Sequence, residues 1–321
     1  MKIFVDADPI VYLAGASAQE VELHVVWSPQ DSDDVKLEIF APHNGVTAHA
    51  QMKEWEKQFE EGDEPVILEV DKVIVPHHVS HALSTTRRYL NGIKEAVLEK
   101  WPHVTPTLIV LLSGPGNFRD DLATVKGYKA NRDESAKPYW YQQIRNYLTE
   151  TWDAQVISGR EADDECAILQ YADNCDGVIA SIDKDLEQVP GWHYDYKKKV
   201  FVYVTEDEGW IKFYSQVLSG DSVDNIPGCY QIGTSRAAGI IDAVYMEHGI
   251  DHAKIWETIL KVYDDSLERY DRRCPYYDLA HEKGVEAVAT EMARLVKMQE
   301  YEGQLWTPPG QPDEILHTEF E

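Results

Sequence analysis

Four short segments of this 321-residue chain carry carboxylates at spacings that could serve a metal ion. They are Asp6-Ala7-Asp8, Glu161-Ala162-Asp163-Asp164-Glu165, Ser181-Ile182-Asp183-Lys184-Asp185 and Gly220-Asp221-Ser222-Val223-Asp224. Carboxylate oxygens are the ligands that Mg²⁺ and Mn²⁺ prefer. Two such ions about 3.5–4 Å apart can hold the attacking and leaving oxygens of a phosphodiester. So many carboxylates packed together without cations would repel, and some would hold their protons. Clustering therefore points to metal more strongly than any single acid. Each segment alone has an ordinary structural role open to it. Asp8 before a helix can cap it, acids at 161–165 suit a helix start, and Asp183 or Asp221 can serve a turn.

A fifth segment carries the opposite charge. Gly127-Tyr128-Lys129-Ala130-Asn131-Arg132 follows Phe118-Arg119 and Lys126. A mobile basic loop over a carboxylate site could grip a scissile phosphate, with Lys129 and Arg132 offsetting transition-state charge. Tyr128 could stack on an unpaired base. A solvated surface loop is the ordinary alternative. Beyond the fourth acidic segment, Gly228-Cys-Tyr-Gln-Ile-Gly233-Thr234-Ser235-Arg236 reads as a glycine-containing turn into a helix. Amides exposed at such a turn suit a phosphate backbone without reading bases.

These residues need elements to hold them. Lys2–Val5 reads as a short buried strand ending at Asp6, and a helix follows over 10–18. Residues 21–27 read as a strand, 81–100 as a helix and 107–112 as an apolar strand. A helix over 140–150, a strand at 154–157, a helix over 161–172 and a strand at 177–181 follow in turn. From Glu206 to about Glu300 the pattern is mostly helical. Such alternation predicts an α/β fold with a central, mainly parallel sheet flanked by helices, followed by a helical region. Sites in parallel sheets form at the carboxyl ends of strands, where Asp6 and Asp183 fall.

The formal net charge of −27 taken alone disfavours nucleic acid. The acid is unevenly spread, however. Residues 31–71 hold twelve Asp/Glu against three Lys, whereas Lys126, Lys129, Arg132 and Lys137 face only Asp133 and Glu134. It is the local patch that meets a phosphate. Cysteines 166, 175, 229 and 274 form no C-x-x-C pair, so neither a zinc knuckle nor a redox motif is expected. The opening Met-Lys-Ile-Phe-Val-Asp has no long apolar run, and the expected location is the cytoplasm, without membrane attachment.

Taken together, Asp6-Ala-Asp8, Gly127-Tyr-Lys-Ala-Asn-Arg132, Glu161-Ala-Asp163-Asp164, Ser181-Ile-Asp183-Lys-Asp185 and Gly220-Asp221-Ser-Val-Asp224-Asn-Ile-Pro-Gly228 resemble, in order and spacing, the 5′ nuclease superfamily. That superfamily comprises flap endonucleases and phage 5′→3′ exonucleases, and the chain is most similar to the short phage type. The resemblance covers residues 6–240. It implies that Asp6, Glu161 and Asp163, with Asp8 near, hold one Mg²⁺ or Mn²⁺. Asp183, Asp185 and Asp221 would hold a second, with Asp164 and Asp224 supporting. Lys129 and Arg132 would be catalytic in an arch that clamps the 5′ strand. Arg119, Lys126 and Tyr128 would contact DNA there. Residues 210–240 would form a helix–three-turn–helix that tracks duplex through Gly228, Gly233, Thr234, Ser235 and Arg236, with K⁺ at the turn carbonyls. The implied substrate is duplex DNA with a 5′ end, nick or flap, cut by a monomer in phage replication or degradation in the host cytoplasm.

One departure stands out. The family carries another Asp after the strand that here is Leu108–Leu112, where this chain has Ser113-Gly-Pro-Gly. The expected organisation is a nuclease core at 1–205 with an acidic insertion at about 28–71 and a basic gateway at about 117–137. A helical DNA-binding region at 206–300 and a C-terminal tail at 301–321, loosely held from Thr307, follow. The insertion could be a lid, a surface for a replication protein or a mimic of nucleic-acid charge. Rival readings are a PIN-like RNA nuclease, a structure-specific DNA-binding protein without catalysis and a small-molecule phosphohydrolase.

Overall fold

The computed structural model describes all residues except 31, 33, 61, 62, 133–136, 313 and 317–321. Parts of the acidic insertion, the basic gateway and the tail therefore lie outside the described residues. The chain divides into two compact units, each drawn from separated stretches. Unit one is Met1–Pro9, Leu90–Ser135 and Leu148–Glu321; unit two is Ile10–Tyr89 and Ala136–Tyr147. Helices α1 (Asp8–Ala16), α3 (Val79–Lys100) and α5 (Tyr141–Trp152) supply residues to both.

Unit one is built on six strands: β1 (Lys2–Asp6), β5 (Thr107–Ser113), β6 (Gln155–Ile157), β7 (Val178–Ala180), β8 (Gly191–Asp195) and β9 (Val200–Val204). Their order is β6-β5-β1-β7-β8-β9, parallel except for the β8–β9 hairpin. The central strands are covered on both faces, which explains why they read as unbroken apolar runs. Ile3, Phe4, Val5, Val110, Leu111, Leu112, Ile179 and Ala180 are all buried. Register Val5↔Val110 and Val5↔Ala180 brings the carboxyl ends of β1, β5 and β7 to one edge. Asp6 and Ser113 are the last residues of their strands, and Ser181 follows β7 directly. The fold is the α/β, mainly parallel architecture expected.

Helix α6 (Ala162–Ala172) packs Ala162, Cys166 and Ala167 with Phe4, Leu111 and Ile179. A short helix α4 (Phe118–Leu122) follows β5. The helical region comprises α7 (Glu206–Ser219), α8 (Thr234–His248), α9 (His252–Tyr270), α10 (Tyr277–Lys283) and α11 (Val285–Val296). Thr205 and Glu208 form a reciprocal capping box that starts α7. Val217, Ile241, Ile259, Tyr263 and Met292 share one buried core. This region belongs to the same unit as the sheet. The described part of the tail makes contacts with the helical region and with itself. Trp306 packs on Trp256 and Phe213, with ring centroids 4.8 and 5.5 Å apart, and β10 (Gln304–Leu305) pairs with β11 (Glu314–Ile315).

Unit two gives the described part of the acidic insertion at about 28–71 regular structure. Strands β2 (Gln19–Ser28), β3 (Lys36–Phe40) and β4 (Val66–Pro76) form an antiparallel sheet in the order β3-β2-β4. Helix α2 (Ala48–Glu56) lies on it, capped by Thr47. Leu23, Val25, Trp27 and Phe40 make the buried face with Met52, Trp55 and Phe59. Rings of Trp27 and Trp55 meet edge-on at 5.2 Å. Among the described residues, no helix is long and apolar enough to cross a membrane.

Candidate carboxylate site

The site lies wholly in unit one and is assembled from strand ends. Asp6 ends β1, buried at 4 % exposure. Its Oδ2 accepts from the Ser181 hydroxyl at 2.9 Å, and its Oδ1 accepts from the Asp8 amide at 3.3 Å. The same Ser181 oxygen accepts from the Asp183 amide at 3.0 Å. One serine thus ties the first and third acidic segments together. Asp8 opens α1, and its Oδ2 accepts from the Ser113 amide at 2.9 Å.

Ser113 stands where an acid was expected. Its hydroxyl accepts from the Ala162 amide at 2.9 Å, satisfying the first turn of α6. Glu161, the residue before that turn, makes no side-chain cap of its own. Ser113 therefore joins the end of β5 to Asp8 and to α6. It supplies no ligand charge and instead orients its neighbours.

Glu161 faces cations. Lys129 Nζ and the Tyr128 hydroxyl both donate to it, the latter at 2.6 Å, and Arg119 lies 3.9 Å away. Burial alone would raise its pKa, but Lys129 and Arg119 override that and hold it at about 2. Lys129 Nζ also lies 3.5 Å from Asp224, and the Lys129 amide donates to the Asp224 carbonyl at 2.9 Å. Lys129 has φ +51°, a left-handed backbone that costs free energy and that neighbouring contacts must hold. Arg132 donates to Asp224 Oδ1 at 2.6 Å while its side chain stays half exposed. Asn131 donates to the Ser222 carbonyl at 3.0 Å, and Asn225 to the Gly127 carbonyl at 2.8 Å. The described part of the basic segment is therefore a turn bonded to the 221–225 turn, not the mobile loop expected.

In four other acids burial and like charge outweigh the cations. Burial pushes Asp6 up to about 8, with the charges of Asp8 and Asp183 adding to it. Burial with Asp183 and Asp221 pushes Asp185 up to about 7. Asp163 is raised by burial and by Glu161 and Asp164. Asp183 is raised by burial and by Asp224 and Asp221, against Lys129. Asp221 spends Oδ1 on the amides of Val223 and Asp224, at 2.6 and 3.3 Å.

Three expectations are corrected by burial. Arg119 is 1 % exposed and donates two bonds to Asp164, at 2.5 and 2.8 Å, and two to the carbonyls of Leu295 and Lys297. A guanidinium so engaged cannot meet DNA, and Asp164, fully buried against it, is not placed to hold a metal. Tyr128 is also buried, its single hydroxyl proton shared between Glu161 at 2.6 Å and Asp224 at 2.9 Å, so its ring is not offered to a base. Gly228 has φ +59°, and an added Cβ would stand 2.2 Å from the Gly220 amide. Its smallness lets the turn close on Gly220. By contrast Gly233, Thr234, Ser235 and Arg236 lie exposed at the start of the 15-residue α8, and Lys126 is exposed too.

Sequence reasoning gave no role to Ser113, Ser181 or Asp120. Asp120 is raised by burial and by the charges of Glu161 and Asp121, which places it beside the same cluster. Its position just past the first basic residue was the available signal.

The donor set is entirely oxygen, which fits a hard divalent ion and not a thiolate metal. Among the described residues, no three acids, histidines or cysteines are drawn together into a preformed ligand set. Glu161 and Asp224 turn instead to Lys129 and Arg132. What fits a cation is the charge: Asp6, Asp163, Asp183 and Asp185 are acids whose burial and mutual repulsion a bound cation would relieve.

No protein-family model matches the chain, and no curated protein matches it. Solved structures do. A bacteriophage T5 flap endonuclease variant, in a pseudo-enzyme–product complex with DNA and metal ions, is 16 % identical at a TM-score of 0.42. That alignment covers 68 % of this chain and 84 % of the other. T5 5′-exonuclease with bound zinc is likewise 16 % identical, at a TM-score of 0.40, covering 65 % and 89 %. A likeness this distant decides nothing about chemistry, which rests on the residues above.

Proposed function

We propose that this chain is a divalent-metal-dependent nuclease that hydrolyses DNA phosphodiesters from 5′ ends, with flap cleavage as a second activity. The observation that carries the reading is the mutual repulsion that links Asp6 with Asp8 and Asp183, and Asp183 and Asp185 with Asp221, at and beside the carboxyl edge of a parallel sheet, with Lys129 and Arg132 bonded to Glu161 and Asp224 nearby. The order of the five motifs along the chain supports it.

Asp6, Asp8 and Asp163 would hold one Mg²⁺ or Mn²⁺, and Asp183, Asp185 and Asp221 a second. When bound, such ions supply a water of lowered pKa and offset the charge that develops on the phosphate oxygens. The chain's own residues do the rest. Ser181 and Ser113 fix the directions of Asp6 and Asp8. Lys129 and Arg132 lie on the carboxylate side and can exchange Glu161 and Asp224 for a substrate phosphate. The exposed start of α8, with Thr234, Ser235 and Arg236, suits a duplex backbone without base reading. The turn before α8 is where K⁺ would sit. The motif resemblance to the short phage type supports a role in phage DNA replication or degradation, in the host cytoplasm.

The test uses end-labelled duplex, nicked and 5′-flap DNA with Mg²⁺ or EDTA. Metal-dependent release of nucleotides from 5′ ends is expected. Cleavage of matched RNA alone, or cleavage insensitive to EDTA, contradicts the reading.

A further inference from the structure

Behind Asp185 lies a chain of two buried glutamines whose direction the backbone dictates. The 3₁₀ turn Asp185–Gln188 sets Asp185 and Gln188 one turn apart. Gln188 is 4 % exposed, and Gln216, on α7, is 7 % exposed. At the far end, the Gln188 Oε1 accepts from the Met298 amide at 3.2 Å, and its Nε2 donates to the Val296 carbonyl at 2.6 Å. A backbone amide can only donate and a carbonyl can only accept, so the Gln188 side chain has one allowed orientation. Its Nε2 also donates to Gln216 Oε1 at 2.8 Å. That fixes Gln216 in turn, leaving its Nε2 to donate to Asp185 Oδ1 at 2.7 Å.

The packing of α7 on this turn is close. A Cβ on Gly209 would stand 2.4 Å from the Gln188 carbonyl oxygen. Only a glycine lets the helix approach near enough for Gln216 to reach both partners.

We propose that Gln216, oriented by Gln188 and the end of α11, is a positioning residue that fixes the Asp185 carboxylate for metal binding. The inference rests on the proposed metal site. With Oδ1 held by Gln216, Oδ2 is the oxygen assigned to the cation. Carboxylates that bind metals depend on such outer partners, and losing one weakens metal affinity by about 10–100-fold.

The probe is Mn²⁺, titrated into the full chain without DNA and followed by electron paramagnetic resonance. Gln216→Met, similar in size but without a donor, is expected to bind Mn²⁺ about 10–100-fold more weakly at one site. Its melting temperature should stay close to that of the wild type, and excess Mn²⁺ should restore DNA cleavage. Gln216→Glu keeps the acceptor for Gln188 but sets an oxygen against Asp185, and should show the same loss; it decides the matter if Gln216→Met folds poorly. Gln188→Met should follow with a smaller change. Unaltered Mn²⁺ affinity in folded Gln216→Met or Gln216→Glu overturns the relay while the metal site stands. Failure of the wild type to bind Mn²⁺ overturns the metal site itself, and the relay with it.

Discussion

Arg119 and Asp164 face each other as a two-bonded ion pair, 2.5 and 2.8 Å long, sealed from solvent. The pair joins α4 to α6, and the remaining guanidinium bonds reach the end of α11. Removing one partner strands the other charge in the interior. Asp164→Ala should therefore cost about 3–5 kcal/mol in denaturant unfolding. A loss below about 1 kcal/mol would show that the pair does not hold these helices together.

The acids of the cluster should behave oppositely. Asp185→Asn removes a charge that burial, Asp183 and Asp221 oppose. Without metal it should melt at or above the wild-type temperature, while losing metal-dependent cleavage. An Asp185→Asn protein that melts well below wild type in EDTA would contradict the electrostatic account.

The pH dependence follows with its sign. Asp6 and Asp185 are raised to about 8 and about 7, so the folded chain binds more protons than the unfolded one above about pH 4. Their stabilising contribution is complete below pH 4 and is lost as pH rises through 7 and 8. Glu161, held at about 2, contributes the other way, and its share is lost as pH falls below about 4. Melting in EDTA should show stability falling between pH 6 and 8, and Mg²⁺ should recover most of it by binding the folded state. A metal-free melting temperature that rises over that interval would contradict these shifts.

Lys129 carries a separate prediction. Its ammonium bonds Glu161 and lies 3.5 Å from Asp224, from a backbone held at φ +51°. Lys129→Met should slow single-turnover cleavage by about 10²–10³-fold. A variant as fast as wild type would remove Lys129 from the reaction.

Gly228 predicts a stability effect without a catalytic role. A methyl group there meets the Gly220 amide at 2.2 Å and must adopt a left-handed backbone. Gly228→Ala should cost more than about 1 kcal/mol. A neutral result would mean that the turn relaxes without loss.

Much of this was legible in the sequence, for physical reasons. The central strands of unit one are buried on both faces, so Ile3–Val5 and Leu108–Leu112 announce themselves as apolar runs, and Asp6, which ends the first of them, marks the functional edge. The sheet of unit two was not legible. Its strands β3 and β4 are mostly exposed, and β2 pairs with β4 far along the chain, which local periodicity does not register. Nor could spacing separate Asp164 from Asp163, adjacent acids of which one meets a buried arginine. The arginine looked like a phosphate contact because its charge is visible in the sequence and its burial is not. Ser113 was legible only as a missing acid. Its actual work, an amide for Asp8 and a hydroxyl for α6, depends on long-range contacts.

The central claim is that the carboxylates at the sheet edge hold metal for DNA hydrolysis. The most direct measurement is cleavage of 5′-end-labelled duplex DNA by wild type and Asp183→Ala, each in Mg²⁺ and in EDTA. The account predicts nucleotide release by wild type in Mg²⁺ alone, and none by Asp183→Ala in either. Equal cleavage by the two proteins in Mg²⁺, or by wild type in EDTA, would contradict it.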